Sequence, residues 1–378
     1  MRWPRWLFAP PKPPKKTPIP VPVPAVKPAP KARGPVAYAL KNRTALLKRE
    51  QKATRDIARL YKAAQKSIET ELQRVLAKIA AARAIGQEVT QHWLVTEARL
   101  GLLLQQIEGQ THRFALDASA VAEKAQAANV ARGTADAYGA MQAAAKYAGI
   151  DAAFTRLPAT ALEHLAGFLS DGAPLERLFR ELGPQAAKLG GEALFDGVAQ
   201  GKGIKSIARD VREATGVSRN RAQLIARTES LRAYRSATLE SYQANAQTVQ
   251  GWRWLCSFSV RTCVFCIAQD GTEHPSTEQM ATHPACRCCQ EAVLVGTAEG
   301  EPRKTGSEWF GEQDAETRAS ILGPVKAALY DEGKIGLSDL VETGTNAKWG
   351  DWGGEKSLRS LIGEGTISSK DVAEATGR

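Results

Sequence analysis

The segment from Gly251 to Val295 contains all six cysteines of the chain and reads GWRWLCSFSVRTCVFCIAQDGTEHPSTEQMATHPACRCCQEAVLV. Two groups of thiol and imidazole side chains occur in it: Cys263 and Cys266, and then, after a loop, His283, Cys286 and Cys288. Each C-x-x-C or H-x-x-C turn offers two soft ligands on one side of a metal ion, and a tetrahedral zinc ion needs two such pairs. The spacing therefore predicts a structural zinc site with these candidate ligands: Cys263, Cys266, His283, Cys286 and Cys288.

A tetrahedral site takes only four of these five residues. Three of the ligands are expected to be Cys263, Cys266 and Cys286, and the fourth is either His283 or Cys288. Both sulfurs of a C-x-C pair bind one ion only in a strained turn, so His283 is preferred over Cys288. The two remaining cysteines are expected to be thiols that do not bind the metal: Cys256 and Cys289.

Two other interpretations of the cysteines remain open. A disulfide framework suits a short secreted chain, whereas this chain has 378 residues and its N-terminal apolar stretch is too short for a signal peptide. A catalytic zinc would keep one open position, with Asp270, Glu273 or His274 acting beside it. The motif order is the reverse of that in zinc deaminases, where H-x-E precedes P-C-x-x-C. A structural zinc is therefore favoured.

Positive charge is concentrated at the N-terminal end of the chain. The formal net charge is +11, and residues 1–66 hold 17 of the 51 basic residues but only two of the 40 acidic ones. Such a basic region indicates a polyanionic partner, above all nucleic acid. No apolar run reaches the length of a transmembrane helix, so no membrane contact is expected.

Residues 1–35 contain 12 of the 19 prolines and no acidic residue. Alternating prolines exclude helix and central strand, so this arm is expected to be extended or disordered. Its basic side chains are the candidate nucleic-acid contacts: Lys12, Lys15, Lys16, Lys27, Lys31 and Arg33. The alternative is that these charges only keep the arm solvated.

The remaining chain predicts a mainly α fold with a small α+β, zinc-stabilised segment. Residues 36–132 carry apolar stripes at helical spacing and predict a long-helix hairpin or a coiled coil, in which the stripe is either core or a self-association seam. Residues 133–200 predict short connecting helices, and Ser218 is the expected cap of a helix to residue 244. Short strands at 249–255 and 290–295 predict a two-stranded sheet around the Cys/His cluster. The predicted domains are 1–35, 36–132, 133–200, 201–300 and a C-terminal helical lobe, 301–378.

Several stretches of this chain resemble a known family. They are IARTES (225–230), GWRW (251–254), RTCVFC (261–266), HPACRC (283–288) and the segment 307–341. Together they resemble the Mu F-like minor head proteins of tailed bacteriophages, also called head morphogenesis proteins. The family often has an acidic residue before the R-T-C, where this chain has Ser257 and Ser259, and Asp270 is the expected substitute.

The resemblance implies a minor head (capsid) protein that acts in head morphogenesis. It implies location in the virion, in the head interior or at the portal vertex, and in the host cytoplasm during assembly. The implied partners are the portal protein, the major capsid or scaffolding protein and the packaged double-stranded DNA. Enzymatic activity is not implied; a zinc-dependent hydrolase or nuclease acting on DNA is the alternative function.

Overall fold

The computed structural model describes residues 34–96, 98–169, 171–297, 303–346 and 350–377. The candidate nucleic-acid contacts of the arm, from Lys12 to Arg33, therefore lie outside the described residues. The described chain forms two compact units, each built from separate stretches of sequence. The predicted fold class is confirmed, because most described residues are helical and a small sheet lies beside the Cys/His cluster.

The first unit is helical and includes residues 50–125 and 173–229. Its elements come from helix α1 (Gly34–Ala84), α2 (Gln91–Thr96), α3 (Ala98–Ala148), a 3₁₀ turn (Leu175–Leu178), α4 (Leu182–Ala199) and α5 (Ile204–Gln243). The predicted apolar stripe of α1 is buried in one cluster with Leu103 and Ile107 of α3, Phe195 of α4 and Val211 of α5. The stripe is therefore the core of this unit.

Helix α5 differs from the prediction at its middle. The capping serine expected at residue 218 lies inside one continuous helix, and its Oγ donates a hydrogen bond to the carbonyl of Leu182 at 3.3 Å. Helices α4 and α5 pack closely just before this point, since a Cβ on Gly190 would lie 3.0 Å from the Thr215 side chain. Burial of this face outweighs the local capping signal, so the predicted helix start at residue 219 was wrong.

Other predicted element boundaries also differ. Helix α3 continues without a break to Ala148, although short connecting helices were predicted from residue 133 onward. In the same predicted region, Ala159–Leu165 is a 3₁₀ segment. Tertiary packing extends or shortens helices in ways that a local pattern does not encode.

The second unit includes residues 34–49, 126–172 and 230–377 where described. Its main sheet has the order β2-β1-β3, with β1 (Val249–Leu255) in the centre and antiparallel to β2 (Glu273–Pro275) and β3 (Cys289–Leu294). The two predicted strands are β1 and β3, and β2 adds a third. Trp252 and Trp254 lie two residues apart on β1, so both point to one face, where both are buried.

The C-terminal part of the chain packs on the short helix α6 (Val264–Gln269). It contains α7 (Gly306–Gly311), α8 (Ala315–Leu322), α9 (Pro324–Asp331), the hairpin β4 (Val341–Asn346) and β5 (Gly350–Glu355), α10 (Leu358–Gly363) and α11 (Ser369–Ala375). Val264 and Ile267 of α6 share a buried cluster with Trp309, Phe310 and Leu340. This part of the chain was predicted as a helical lobe, and the hairpin of β4 and β5 is an addition to that prediction.

In the described ranges, no helix is both long enough and apolar enough to cross a bilayer.

Candidate metal centre

The first pair of cysteines lies at the start of helix α6. Cys263 is the N-cap residue, and its Sγ accepts a hydrogen bond from the backbone N–H of Cys266 at 3.5 Å. The two residues between them, Val264 and Phe265, point into the protein and are buried. Burial of these side chains orients the turn so that both sulfurs face the same side, as two ligands of one ion must.

The second group lies on a tight turn from His283 to Cys286, closed by a hydrogen bond from the Cys286 N–H to the His283 carbonyl at 3.0 Å. Pro284 occupies the second position of the turn, and Ala285 the third, with a φ of 61°. A positive φ at the third position is the signature of a type II turn, which usually carries glycine there. The turn is therefore strained at Ala285.

The donor atoms of the two groups meet at Cys266. The Nε2 of His283 lies 3.2 Å from the Sγ of Cys263 and 3.3 Å from that of Cys266, and the sulfurs of Cys266 and Cys286 are 3.7 Å apart. A tetrahedron with Zn–S of about 2.3 Å and Zn–N of about 2.0 Å has S–S edges of about 3.8 Å and S–N edges of about 3.5 Å. The observed separations are close to these edges, so the cluster can hold a tetrahedral metal ion.

The Cys288 sulfur also belongs to this cluster. The Sγ atoms of Cys266, Cys286 and Cys288 lie within 4.8 Å of one another, as do the donor atoms of Cys263, Cys266 and His283. All five predicted ligands are thus brought together, and Cys266 belongs to both of these sets of three donors. The sulfurs of Cys286 and Cys288, the C-x-C pair, both lie close to that of Cys266. Such a pair was expected to place both sulfurs at one site only in a strained turn. Cys256 and Cys289 are buried outside the two groups.

Hydrogen bonds within the cluster determine where its protons reside. A hydrogen bond from Cys266, supported by His283, lowers the pKa of Cys263 to about 5 against the effect of burial. Burial disfavours a charged imidazole, but hydrogen bonds with Cys263 and Cys286 outweigh it and raise the pKa of His283 to about 10. Burial, opposed by Arg43 and Arg235, raises the pKa of Cys289 to about 11, so that thiol stays protonated. Hydrogen bonds with Cys266 and Cys288 lower the pKa of Cys286, whereas hydrogen bonding to Cys263 raises the pKa of Cys266 and burial raises that of Cys288. The thiolate character of the cluster therefore resides on Cys263 and Cys286.

A contact with a backbone carbonyl orients the histidine. The Nδ1 of His283 lies 2.9 Å from the carbonyl of Pro284. When the imidazole is neutral, as in a metal ligand, and its Nδ1–H donates to this carbonyl, the lone pair is on Nε2, which faces the sulfurs of Cys263 and Cys266. This is the usual arrangement of a metal-binding histidine, in which the other ring nitrogen is held by the backbone.

Two arginines hold the backbone of the second group, and the sequence patterns did not identify them. Arg235 of α5 is 6 % exposed and donates to the carbonyls of Cys286 at 2.7 Å and Cys288 at 2.9 and 3.0 Å. Arg43 of α1 donates to the carbonyl between them, that of Arg287, at 2.5 Å, and to Ser257 Oγ at 2.8 Å. Three successive carbonyls of this segment therefore accept hydrogen bonds from guanidinium groups.

The residues considered for a catalytic site have other partners. The Asp270 carboxylate is fully buried and accepts from the N–H of Cys256 at 2.7 Å and from Arg303 at 2.6 Å. It therefore fixes the end of β1 instead of the metal-binding turn. Glu273 pairs with Arg253 at 2.5 Å, and the His274 ring stacks on Trp252 with centroids 4.3 Å apart.

The strain at Ala285 leads to a testable prediction. Replacing Ala285 with glycine is expected to stabilise the protein by about 0.5–1 kcal/mol, because relief of the left-handed backbone exceeds the added entropy of the unfolded chain. Ala63, exposed in α1, is the matched control, since Ala63→Gly should destabilise by about 0.5–1 kcal/mol. Denaturant midpoints measure both. A loss of stability in Ala285→Gly would contradict the assigned turn.

Comparison with known proteins finds a family match for the segment that contains this cluster. No curated protein and no solved structure matches the chain significantly. Residues 191–291 match the family model described as Phage Mu protein F like protein. The matched segment contains β1, α6, β2 and both groups of the Cys/His cluster, and the motifs that carried the resemblance from residue 225 to residue 288 lie in it. The segment 191–291 of this chain is thus similar to the phage Mu protein F like family.

Proposed function

We propose that the protein is a minor head protein that acts in bacteriophage head morphogenesis, and that its Cys/His cluster is a structural zinc site. The observation that carries the proposal is that the family segment encloses the cluster. The cluster is largely buried, and two arginines donate to three successive carbonyls beside it. The carboxylates of Asp270 and Glu273 are paired with Arg303 and Arg253. A closed site of this kind stabilises a fold.

The proposed ligands are Cys263, Cys266, His283 and Cys286. Cys288 is the alternative to His283, because its sulfur also lies beside Cys266. His283 is preferred because its Nε2 lies close to the sulfurs of both Cys263 and Cys266, while its Nδ1 is engaged by the backbone. The zinc would link α6 to the turn before β3 and so connect the C-terminal cluster around Trp309 with the sheet.

Metal analysis of protein purified under reducing conditions tests the zinc proposal. One zinc per chain is expected. His283→Ala should lower the zinc affinity strongly, whereas Cys288→Ser should retain one equivalent. The reverse pattern would reassign the fourth ligand to Cys288, and protein without any bound metal would refute the site.

The head-assembly proposal is tested in phage particles. A phage that lacks this gene is expected to give defective heads, and the wild-type chain supplied in trans should restore them and be recovered in virions. Co-purification with the portal, major capsid and scaffolding proteins identifies which of them binds the chain. Normal infective particles without the protein would refute the proposal.

The finer parts of the proposal concern DNA and catalysis. The basic arm is proposed to contact packaged DNA through Lys12, Lys15, Lys16, Lys27, Lys31 and Arg33; removing residues 2–33 should then weaken DNA binding and its salt dependence. A hydrolase or nuclease is the second candidate. It would require metal-dependent turnover of DNA, and the engagement of Asp270, Glu273 and His274 with other groups argues against it.

A further inference from the structure

Helix α1 carries a row of basic residues on its exposed face within the first unit. Lys52, Arg55, Arg59, Lys62 and Lys66 are spaced 3, 4, 3 and 4 residues apart, and all five are exposed. This spacing places them on one side of the helix, with neighbouring side chains about 5–6 Å apart. At 1.5 Å per residue, the row is about 21 Å long. We call these five residues the α1 basic stripe.

The opposite face of the same segment is apolar. Ile57, Tyr61, Ala64 and Ile68 are buried there. The stripe is therefore held rigidly, because the helix that presents it is fixed by its buried face.

Acidic groups neutralise only part of the stripe. Asp56 accepts a hydrogen bond from Lys52 at 2.9 Å and from Arg59 at 2.6 Å. It is the single acidic residue in the sequence between positions 52 and 66. Lys62 and Lys66 make no ion pair with any residue in the described ranges, and Arg55 bonds only to the Gln51 carbonyl there, at 3.2 Å. One turn further, Glu69 is engaged by Arg212. The stripe thus keeps a net positive charge of about four, an arrangement that attracts polyanions.

The side chains around the stripe favour a phosphate backbone over an acidic protein surface. The other exposed residues on this part of α1 are Gln51, Ala63 and Thr70, so the stripe has no aromatic or large aliphatic side chain. Protein interfaces obtain most of their affinity from buried apolar or aromatic anchors. Binding to a nucleic-acid backbone needs only positioned cations, because affinity comes from release of condensed counterions.

We propose that the α1 basic stripe is a double-stranded DNA surface that binds the phosphate backbone without sequence preference. The inference deepens the DNA contact of the proposed function and rests on that function for the identity of the polyanion. It assigns the contact to the folded helix, in addition to the arm.

The test compares two variants of the full chain that carry the same charge change. In the stripe variant, Arg55, Arg59, Lys62 and Lys66 are replaced with glutamine, which keeps helix propensity; Lys52 is retained as the partner of Asp56. The control replaces four exposed basic residues elsewhere with glutamine: Lys188, Lys205, Arg359 and Lys370. Binding to a short duplex is measured between about 50 and 200 mM salt.

The stripe variant is expected to bind about tenfold or more weakly, with a slope of log Kobs against log salt that is smaller in magnitude by about 3 to 4. The control should change much less. Equal losses in both variants, or a stripe variant like the wild type, would overturn the proposal. Stripe-dependent binding of polyglutamate that matches the binding of DNA would reassign the surface to an acidic protein.

Zinc content and incorporation into heads are measured on the same stripe variant. The zinc content should be unchanged because the stripe contributes no metal ligand. Incorporation into heads should be unchanged as well. Unchanged DNA binding by a stripe variant that is incorporated normally into heads would thus refute the stripe alone, while absence of the wild-type chain from heads would refute the proposed function.

Discussion

Replacing Cys266 with serine is expected to abolish metal binding and to unfold the second unit around the cluster. Cys266 belongs to both sets of three close donors, the set with Cys263 and His283 and the set with Cys286 and Cys288, and it is 2 % exposed. Binding of a structural zinc contributes about 10–16 kcal/mol in small zinc domains, whereas the net stability of a whole domain is about 5–15 kcal/mol. Loss of the shared ligand is therefore expected to exceed what the remaining contacts can offset.

Cys289→Ser provides the matched control for this prediction. Cys289 is also buried and lies close in sequence, but it belongs to neither donor group. Its replacement should cost only the burial of a hydroxyl, about 1–3 kcal/mol, and should leave one metal per chain. Metal analysis and thermal melting with and without a chelator measure both variants. A Cys266→Ser protein that keeps its metal, or that melts like Cys289→Ser, would show that the cluster is not a ligand set.

The wild-type protein should itself respond to chelation. If zinc connects α6 to the turn before β3, its removal is expected to expose the buried indoles of Trp254 and Trp309, which lie in the apolar clusters on either side of α6. The resulting shift in tryptophan fluorescence would then be reversed by added zinc. This response distinguishes a metal that supports the fold from one bound at the surface.

The clustering of the candidate ligands could be predicted from the sequence because their chemistry is local. A C-x-x-C turn and an H-x-x-C turn bring two donors together whatever the rest of the chain does, and all five candidates meet in the structure. The strands β1 and β3 were also predictable, since β1 carries Trp252 and Trp254 in alternation. Strand β2 was not, because its three residues, Glu273–Pro275, end in a proline and are held only by pairing with β1.

The groups that support the cluster were not predictable, since their partners are distant in sequence. Arg43 reaches the Arg287 carbonyl across 244 residues, and Arg235 reaches that of Cys286 across 51. Nothing in the local pattern of α5 distinguishes Arg235 from the exposed arginines of the same helix. The same limit explains the missed continuity of α5, where close packing of Gly190 on Thr215 overrides a local capping signal.

Arg235→Ala is expected to have the second largest effect. Its guanidinium bridges the carbonyls of Cys286 and Cys288, and hydrogen bonds to a buried charged group contribute about 1.5–3 kcal/mol each. Removing it leaves both carbonyls without this donor in a buried site, so a loss of about 3–5 kcal/mol in the free energy of unfolding is expected. The turn that carries Cys286 should also loosen, and zinc should be lost at a lower chelator concentration.

Two further variants show that the effect of Arg235 comes from its geometry and not from its charge alone. Arg235→Lys keeps the charge, but an ammonium group cannot reproduce the planar fork that spans two carbonyls, so an intermediate loss of stability and zinc affinity is expected. Arg209→Ala removes an arginine from the same helix that is 62 % exposed and paired with Asp210; it should cost about 1 kcal/mol or less and leave the zinc affinity unchanged. If Arg235→Ala behaved like Arg209→Ala, the cluster would be held by its ligands alone. If Arg235→Lys matched the wild type in stability and zinc affinity, the contribution of Arg235 would come from its charge alone.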